Sequence, residues 1–309
     1  MSESHAHLQS WPVLPAIISA ILVTTALIYL RGWLSLRSAF PNLIPSWRLA
    51  SFMSGFFSVW VALASRLATL DHRSLTIHMM KHLLLMTVAA PLILAGAPVF
   101  TLACGLPKLF IKSHPSFSGL PAQWLNRFLM HSELCWLAST AAVIGWHLPV
   151  AFQLGMRSHG VHDLEDVSFL IAGLLFWWPI VQPSPGATRS PRWSMVFYLF
   201  LATLPCDILS AFLVFSNRLV YPFYLSTRQL FSMAPLQDQE CAAALMWVWV
   251  TFAYLIPAVA ITVQILSPPA AESQAAMQSG RQRIANRPRR QLDNRPKVSL
   301  AENHYSPGE

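Results

Sequence analysis

The chain has 309 residues, of which 54% are hydrophobic and 11% charged; a soluble globular protein carries about 25% charged residues, so an ordinary soluble fold is excluded. The net charge of +8 does not point to nucleic acid, because seven of the 21 basic residues lie between Arg281 and Lys297 and the rest are dispersed among loops, as membrane topology requires. The cysteines Cys104, Cys135, Cys206 and Cys241 form no CxxC, which excludes a zinc knuckle or a disulfide framework. The opening MSESHAHLQSW has no basic residue ahead of an apolar core and is not expected to be a cleavable signal peptide.

Apolar runs of about 18 to 25 residues, the length that crosses hydrocarbon, place about seven spans, and a helical bundle follows because backbone groups in lipid must be satisfied internally. The first span runs from about Val13 to Leu30, flanked by Trp11 and Trp33, and the second from about Trp47 to Leu70. The third runs from about Ile77 to Cys104 and contains Pro91 and Pro98, so a kink or broken turn is expected near Ala90 to Gly96. The fourth (Glu133 to Val150) ends in Trp146-His147-Leu148-Pro149, the fifth (Leu164 to Val181) ends in Trp177-Trp178-Pro179, and the sixth (Trp193 to Phe215) carries Asp207. The seventh runs from about Gln239 to Leu266. The expected organisation is an extracytoplasmic tail (1–12), a seven-helix membrane domain (13–266) and a disordered basic tail (267–309), whose Arg, Gln, Asn, Pro and Ser cannot bury a core.

The third span opens with His78 and His82, four apart and so on one helix face, with Met86 continuing the stripe. Polar side chains near hydrocarbon are costly and mark function. Basic residues favour an outside N-terminus and a cytoplasmic C-terminus: the inner segments then hold Arg31, Arg37, Arg48, Lys108, Lys112, Arg127, Arg189, Arg192 and the tail, with Lys81 close to the outer surface. That orientation gathers His78, His82, His147, His159 and His162 at the outer side, with His5, His7 and His72. The acids Asp71, Asp163, Glu165, Asp166, Asp238 and Glu240 fall there too, and Met79, Met86, Met156 and Met246 lie at comparable depth. Imidazole and thioether together suit copper, especially the cuprous ion. The expected metal ligands are His78, His82, His147, His162 and Glu165, with Met86, His159, Asp166, Asp238, Gln239 and Met246 as additional or supporting groups. Glu165, one turn after His162, reads as a ligand or as the acceptor that fixes that ring's tautomer.

Each residue also has a plainer reading. Histidines near helix ends bond headgroups or carbonyls, WHLP reads as a helix end with an aromatic anchor, and single methionines read as packing. Asp207 fits a helix–helix hydrogen bond or an ion path; Cys206 and Cys241 fit packing, Cys241 also a soft ligand.

HMMKHLLLMTVAAPLILAGAP (78–98) resembles the signature helix of the CtaG family of cytochrome c oxidase assembly proteins, as do WHLP (146–149), VHDLEDVSF (161–169), FWWPIVQPSPG (176–186), YPFY (221–224) and DQECAAALMW (238–247). The likeness spans roughly residues 47 to 266. It implies a multi-pass protein of the bacterial plasma (inner) membrane that helps to mature a haem-copper terminal oxidase by delivering copper, a metal-binding chaperone with an oxidase subunit and the lipid bilayer as its partners. The positions it marks are His78, His82, His147, His162, Glu165, Asp238, Gln239, Met246 and Trp247, while Asp166 stands where the family often has histidine. Two other readings remain: a membrane haem protein with His82 and His147 or His162 as axial ligands, and a transporter using Asp207 and the proline-broken third span. No nucleophile–base pair or oxyanion device supports an enzyme.

Overall fold

The computed structural model describes residues 13–39, 45–106, 124, 127–181, 192–226, 230 and 233–267. The expected N-terminal tail, the basic tail from 268 onward, and the QPSPG end of the fifth-span motif lie outside the described residues. The chain divides into two compact units, Met1–Thr262 and Val263–Glu309; the description below concerns the first.

The described elements are all helical. In chain order they are α1 (Val13–Ala39), α2 (Ser46–Ala64), the short α3 (Leu67–Leu70), α4 (Leu75–Leu83), α5 (Ala90–Ala95), α6 (Pro98–Gly105), α7 (Ser132–His147), α8 (Pro149–Arg157), α9 (His159–Val181), α10 (Arg192–Phe215) and α11 (Pro235–Leu266). Six stretches are long and apolar enough to cross a bilayer, or seven if the bent pair α7–α8 is one span. The protein is therefore a polytopic membrane helical bundle.

The span Leu75–Ala95, comprising α4, a wide π-type turn at Leu84–Ala89, and α5, is the axis of this bundle. Of its most apolar stretch 72% is buried, against 6% for the first span. On one side Leu85, Ala89 and Ile93 pack with Tyr29 of α1 and with Phe52 and Val59 of α2. On the other, Met86, Ala90 and Leu94 pack with Phe169, Phe176 and Trp177 of α9, with Leu199 of α10, and with Met246, Val250 and Tyr254 of α11. The wide turn lies directly ahead of Pro91, whose ring in a regular helix would clash with the carbonyl four residues back. Trp177 Nε1 donates to the Met86 carbonyl within that turn at 3.0 Å. The approach of α9 is close because Gly173 has no side chain: a Cβ there would stand 2.8 Å from both Cα and O of Met86.

The break expected in the third run near Ala90 to Gly96 is present, and the fourth run carries a bend that the sequence reading did not place. The third run does not continue to Cys104: it stops at Gly96–Ala97, where Ala97 takes a left-handed φ of 50° before Pro98 opens α6. The fourth run bends by 73° at Leu148, which is held extended (φ −65°, ψ 132°) by the following Pro149.

Candidate metal centre

The turn Asp71–Arg73 and the extended Ser74 lead into α4. Asp238 of α11 caps that start: its carboxylate accepts from the backbone N–H groups of Leu75 (2.6 Å) and Thr76 (3.3 Å) and from the hydroxyls of Ser74 (2.9 Å) and Thr76 (2.7 Å). A carboxylate at a helix N-terminus satisfies orphan donors and complements the helix dipole. Gln239 accepts from Val220 N–H (2.8 Å) and donates to the carbonyls of Leu213 (3.3 Å) and Arg218 (3.2 Å). Asp238 and Gln239 thus fix the ends of α4 and α10 against α11.

Held this way, α4 turns His78, Lys81 and His82 toward His162, Glu165 and Asp166 of α9, all of them buried. His78 Nε2 and His82 Nε2 lie 3.4 and 3.8 Å from the same carboxylate oxygen, Glu165 Oε1. The two rings are 4.3 Å apart between centroids. His82 Nε2 is also 3.2 Å from Asp166 Oδ1. His78, His82 and Glu165 can each offer one ligand atom within 4.8 Å of the others, and so can Asp71, His78 and His162. Glu165 Oε2 and His78 Nδ1 are buried with no hydrogen-bond partner among the described residues. Gly155 of α8 makes room for that carboxylate, since a Cβ would stand 2.8 Å from Oε2.

Lys81, which the sequence reading did not count among the site residues, is 1% exposed and its ammonium donates to Asp71, and to Asp166 at 2.9–3.0 Å. It lies 3.4 Å from His162 Nε2, which is 3.2 Å from Asp71 Oδ2. The carboxylates beside His162 are therefore Asp71 and Asp166, whereas Glu165, expected as a ligand or as the acceptor for His162, meets His78 and His82. The available signal was a lysine inside an apolar run between two histidines, since such a charge must be paired.

The remaining expected residues do not all converge. His159 sits beside His72, with centroids 6.1 Å apart. His147 donates from Nδ1 to the Val143 carbonyl at 2.7 Å, leaving Nε2 buried and without a partner among the described residues. It lines a small cavity with His82, Met86 and Met246, but is itself in neither group of converging ligand atoms. Cys206 is buried and Cys241 exposed. Two tyrosines of the YPFY motif, outside the spans and not among the expected site residues, close the site: Tyr221 donates to the His147 carbonyl and Tyr224 to the Asp71 carbonyl, each at 2.9 Å. Burial pushes both phenols up, so both remain protonated donors.

Fold and site define a polytopic membrane protein with histidines, carboxylates and one lysine buried at one end of its bundle. Residues 27–267 match the family model described as cytochrome c oxidase caa3 assembly factor (Caa3_CtaG), and the chain belongs to that family. Among curated proteins it is 24% identical to an uncharacterised protein of Mycobacterium leprae over 261 residues, and 24% identical to uncharacterised proteins of Mycobacterium bovis and Mycobacterium tuberculosis over 256 residues. Each match covers 81% of this chain but 38% of the relative, so the chain spans about two fifths of their length. No solved structure matches it.

Proposed function

We propose that this protein is a non-catalytic assembly factor of the bacterial plasma membrane that holds copper for a haem-copper terminal oxidase. In this reading His78, His82 and Glu165 bind the ion, with His162 and Asp71 adjoining. The observation that carries it is the convergence of two buried imidazole nitrogens on one carboxylate oxygen, at 3.4 and 3.8 Å. Metal–nitrogen bonds are about 2 Å long, so small rotamer changes suffice to enclose an ion. A nitrogen-rich set with one carboxylate suits copper or zinc better than magnesium or calcium. The partnerless Glu165 Oε2 and His78 Nδ1 support the same reading, because buried polar atoms are normally satisfied. The basic residues gathered by the sequence in the loops on the opposite side, Arg31, Arg37, Arg48, Arg127 and Arg192 among them, and in the C-terminal tail support an outer position for this end of the bundle.

The haem reading has less support: His82 and His147 share a cavity of about 30 Å³, far too small for a macrocycle.

The test is metal analysis of the purified full chain beside the double variant His78→Ala/Glu165→Gln, with oxidase activity measured in cells lacking the gene and complemented by each. Bound copper in the wild type that is lost in the variant, with oxidase activity falling in parallel, is expected. A wild-type protein that retains no copper from copper-replete cells and takes up none on titration overturns the copper claim; a deletion strain with normal oxidase activity overturns the assembly role.

A further inference from the structure

Below the converging His78, His82 and Glu165, the core holds a cavity of about 30 Å³. Its wall includes His82, His147, Met79, Met86, Met246 and Cys206. The residues come from α4 and the wide turn after it, from α7, α10 and α11. Methionines in a core are normally gap-fillers, and a buried cysteine is normally packing. What sets this cavity apart is His147. Its Nδ1–H donates to the Val143 carbonyl at 2.7 Å, which fixes the neutral tautomer with the lone pair on Nε2. That nitrogen is fully buried and has no partner among the described residues, on a side chain that is 8% exposed. A hydrogen-bonded carbonyl behind one nitrogen and an empty lone pair on the other is the arrangement that orients an imidazole for a metal. The Thr87 hydroxyl, the nearest neutral alternative on the same wall, already donates to the Leu83 carbonyl at 2.7 Å and accepts from Trp249 at 2.8 Å.

We infer that this cavity is a second metal site, selective for a soft monovalent ion, Cu(I), held by the His147 Nε2 lone pair and methionine thioethers. The inference rests on the copper reading above and deepens it: a nitrogen–carboxylate site at the end of the bundle is joined through His82 to a thioether–imidazole chamber inside it. Thioether and imidazole ligands select Cu(I). No carboxylate among the described residues lines the chamber, so a divalent ion would enter it without charge compensation, whereas a monovalent soft ion carries the smaller desolvation cost. The volume accommodates one ion drawn in by side-chain ligands and excludes any organic ligand.

The full-length protein in detergent is titrated anaerobically with Cu(I) against a chromogenic cuprous chelator, and separately with Cu(II). X-ray absorption of the Cu(I)-loaded wild type reads the ligand atoms directly, and needs no variant. Sulfur scatterers are expected in the first coordination sphere. The double variant Met86→Leu/Met246→Leu keeps side-chain volume; it is expected to bind Cu(I) at least tenfold more weakly and Cu(II) within twofold of the wild type. A Cu(I) spectrum fitted by nitrogen and oxygen alone, or a Cu(I) affinity unchanged in the double variant, overturns the second site. A wild type that binds Cu(II) but not Cu(I) overturns this inference and leaves the copper reading standing. Binding of neither ion removes both.

Discussion

Replacing Lys81 with methionine removes the one ammonium that the described structure places between Asp71 and Asp166 while keeping most of the side chain's volume. The ammonium is about 3 Å from Asp166 and directly bonded to Asp71. At an effective dielectric constant of about 20, one such contact at 3 Å contributes about 5 kcal/mol before desolvation. Burying the ammonium offsets much of this gain, but the carboxylates stay buried in the variant, so the net loss is that of a broken buried pair, about 3–5 kcal/mol. At a few degrees per kcal/mol for a chain of this size, the unfolding midpoint should fall by about 10 °C. The double variant Lys81→Met/Asp71→Asn restores the formal charge of the trio and should recover more than half of that fall. Thermal unfolding of the detergent-solubilised protein, followed by intrinsic tryptophan fluorescence, reads both. A Lys81→Met midpoint within 2 °C of the wild type, or a double variant no more stable than the single one, would refute the idea that the ammonium holds these acids in place.

Gly173→Val should cost about 1–3 kcal/mol by overpacking, because the new side chain meets the Met86 backbone and must displace the Trp177–Met86 hydrogen bond; the unfolding midpoint measures it. Asp238→Ala should lower stability by about 2–4 kcal/mol, since a helix cap is lost and the buried donors of Ser74 and Leu75, with the part-buried one of Thr76, are stranded; Asp238→Asn, which still accepts, should lose less. The two raised phenols predict alkaline sensitivity: their contribution is complete below about pH 10, where tyrosine of the unfolded chain ionises, and is lost as pH rises toward the higher folded values. Stability measured from pH 8 to 11 should therefore fall less steeply in Tyr221→Phe/Tyr224→Phe than in the wild type, and an equal slope would count against buried, protonated phenols.

The membrane class, the bundle and the approximate ends of most spans follow from the sequence, because the length of an apolar run and the need to satisfy every backbone group in lipid leave few alternatives. The same residues bring His78 and His82 together, since a four-residue step on a helix fixes which side chains share a face. Periodicity does not fix how far one helix is rotated or raised against the next. That was decided by local contacts with little sequence signal: Gly173 admitting α9 against the Met86 backbone, the wide turn at Leu84–Ala89, and Asp238 pinning the start of α4. Those contacts give Glu165 to His78 and His82 and not to His162, bury Lys81 among acids, and place His147, whose Nε2 is buried without a partner among the described residues, on the wall of a cavity it shares with His82 and three methionines. Such pairings depend on shifts of an ångström or two between neighbouring helices, a scale that tertiary packing sets and a one-dimensional pattern does not carry.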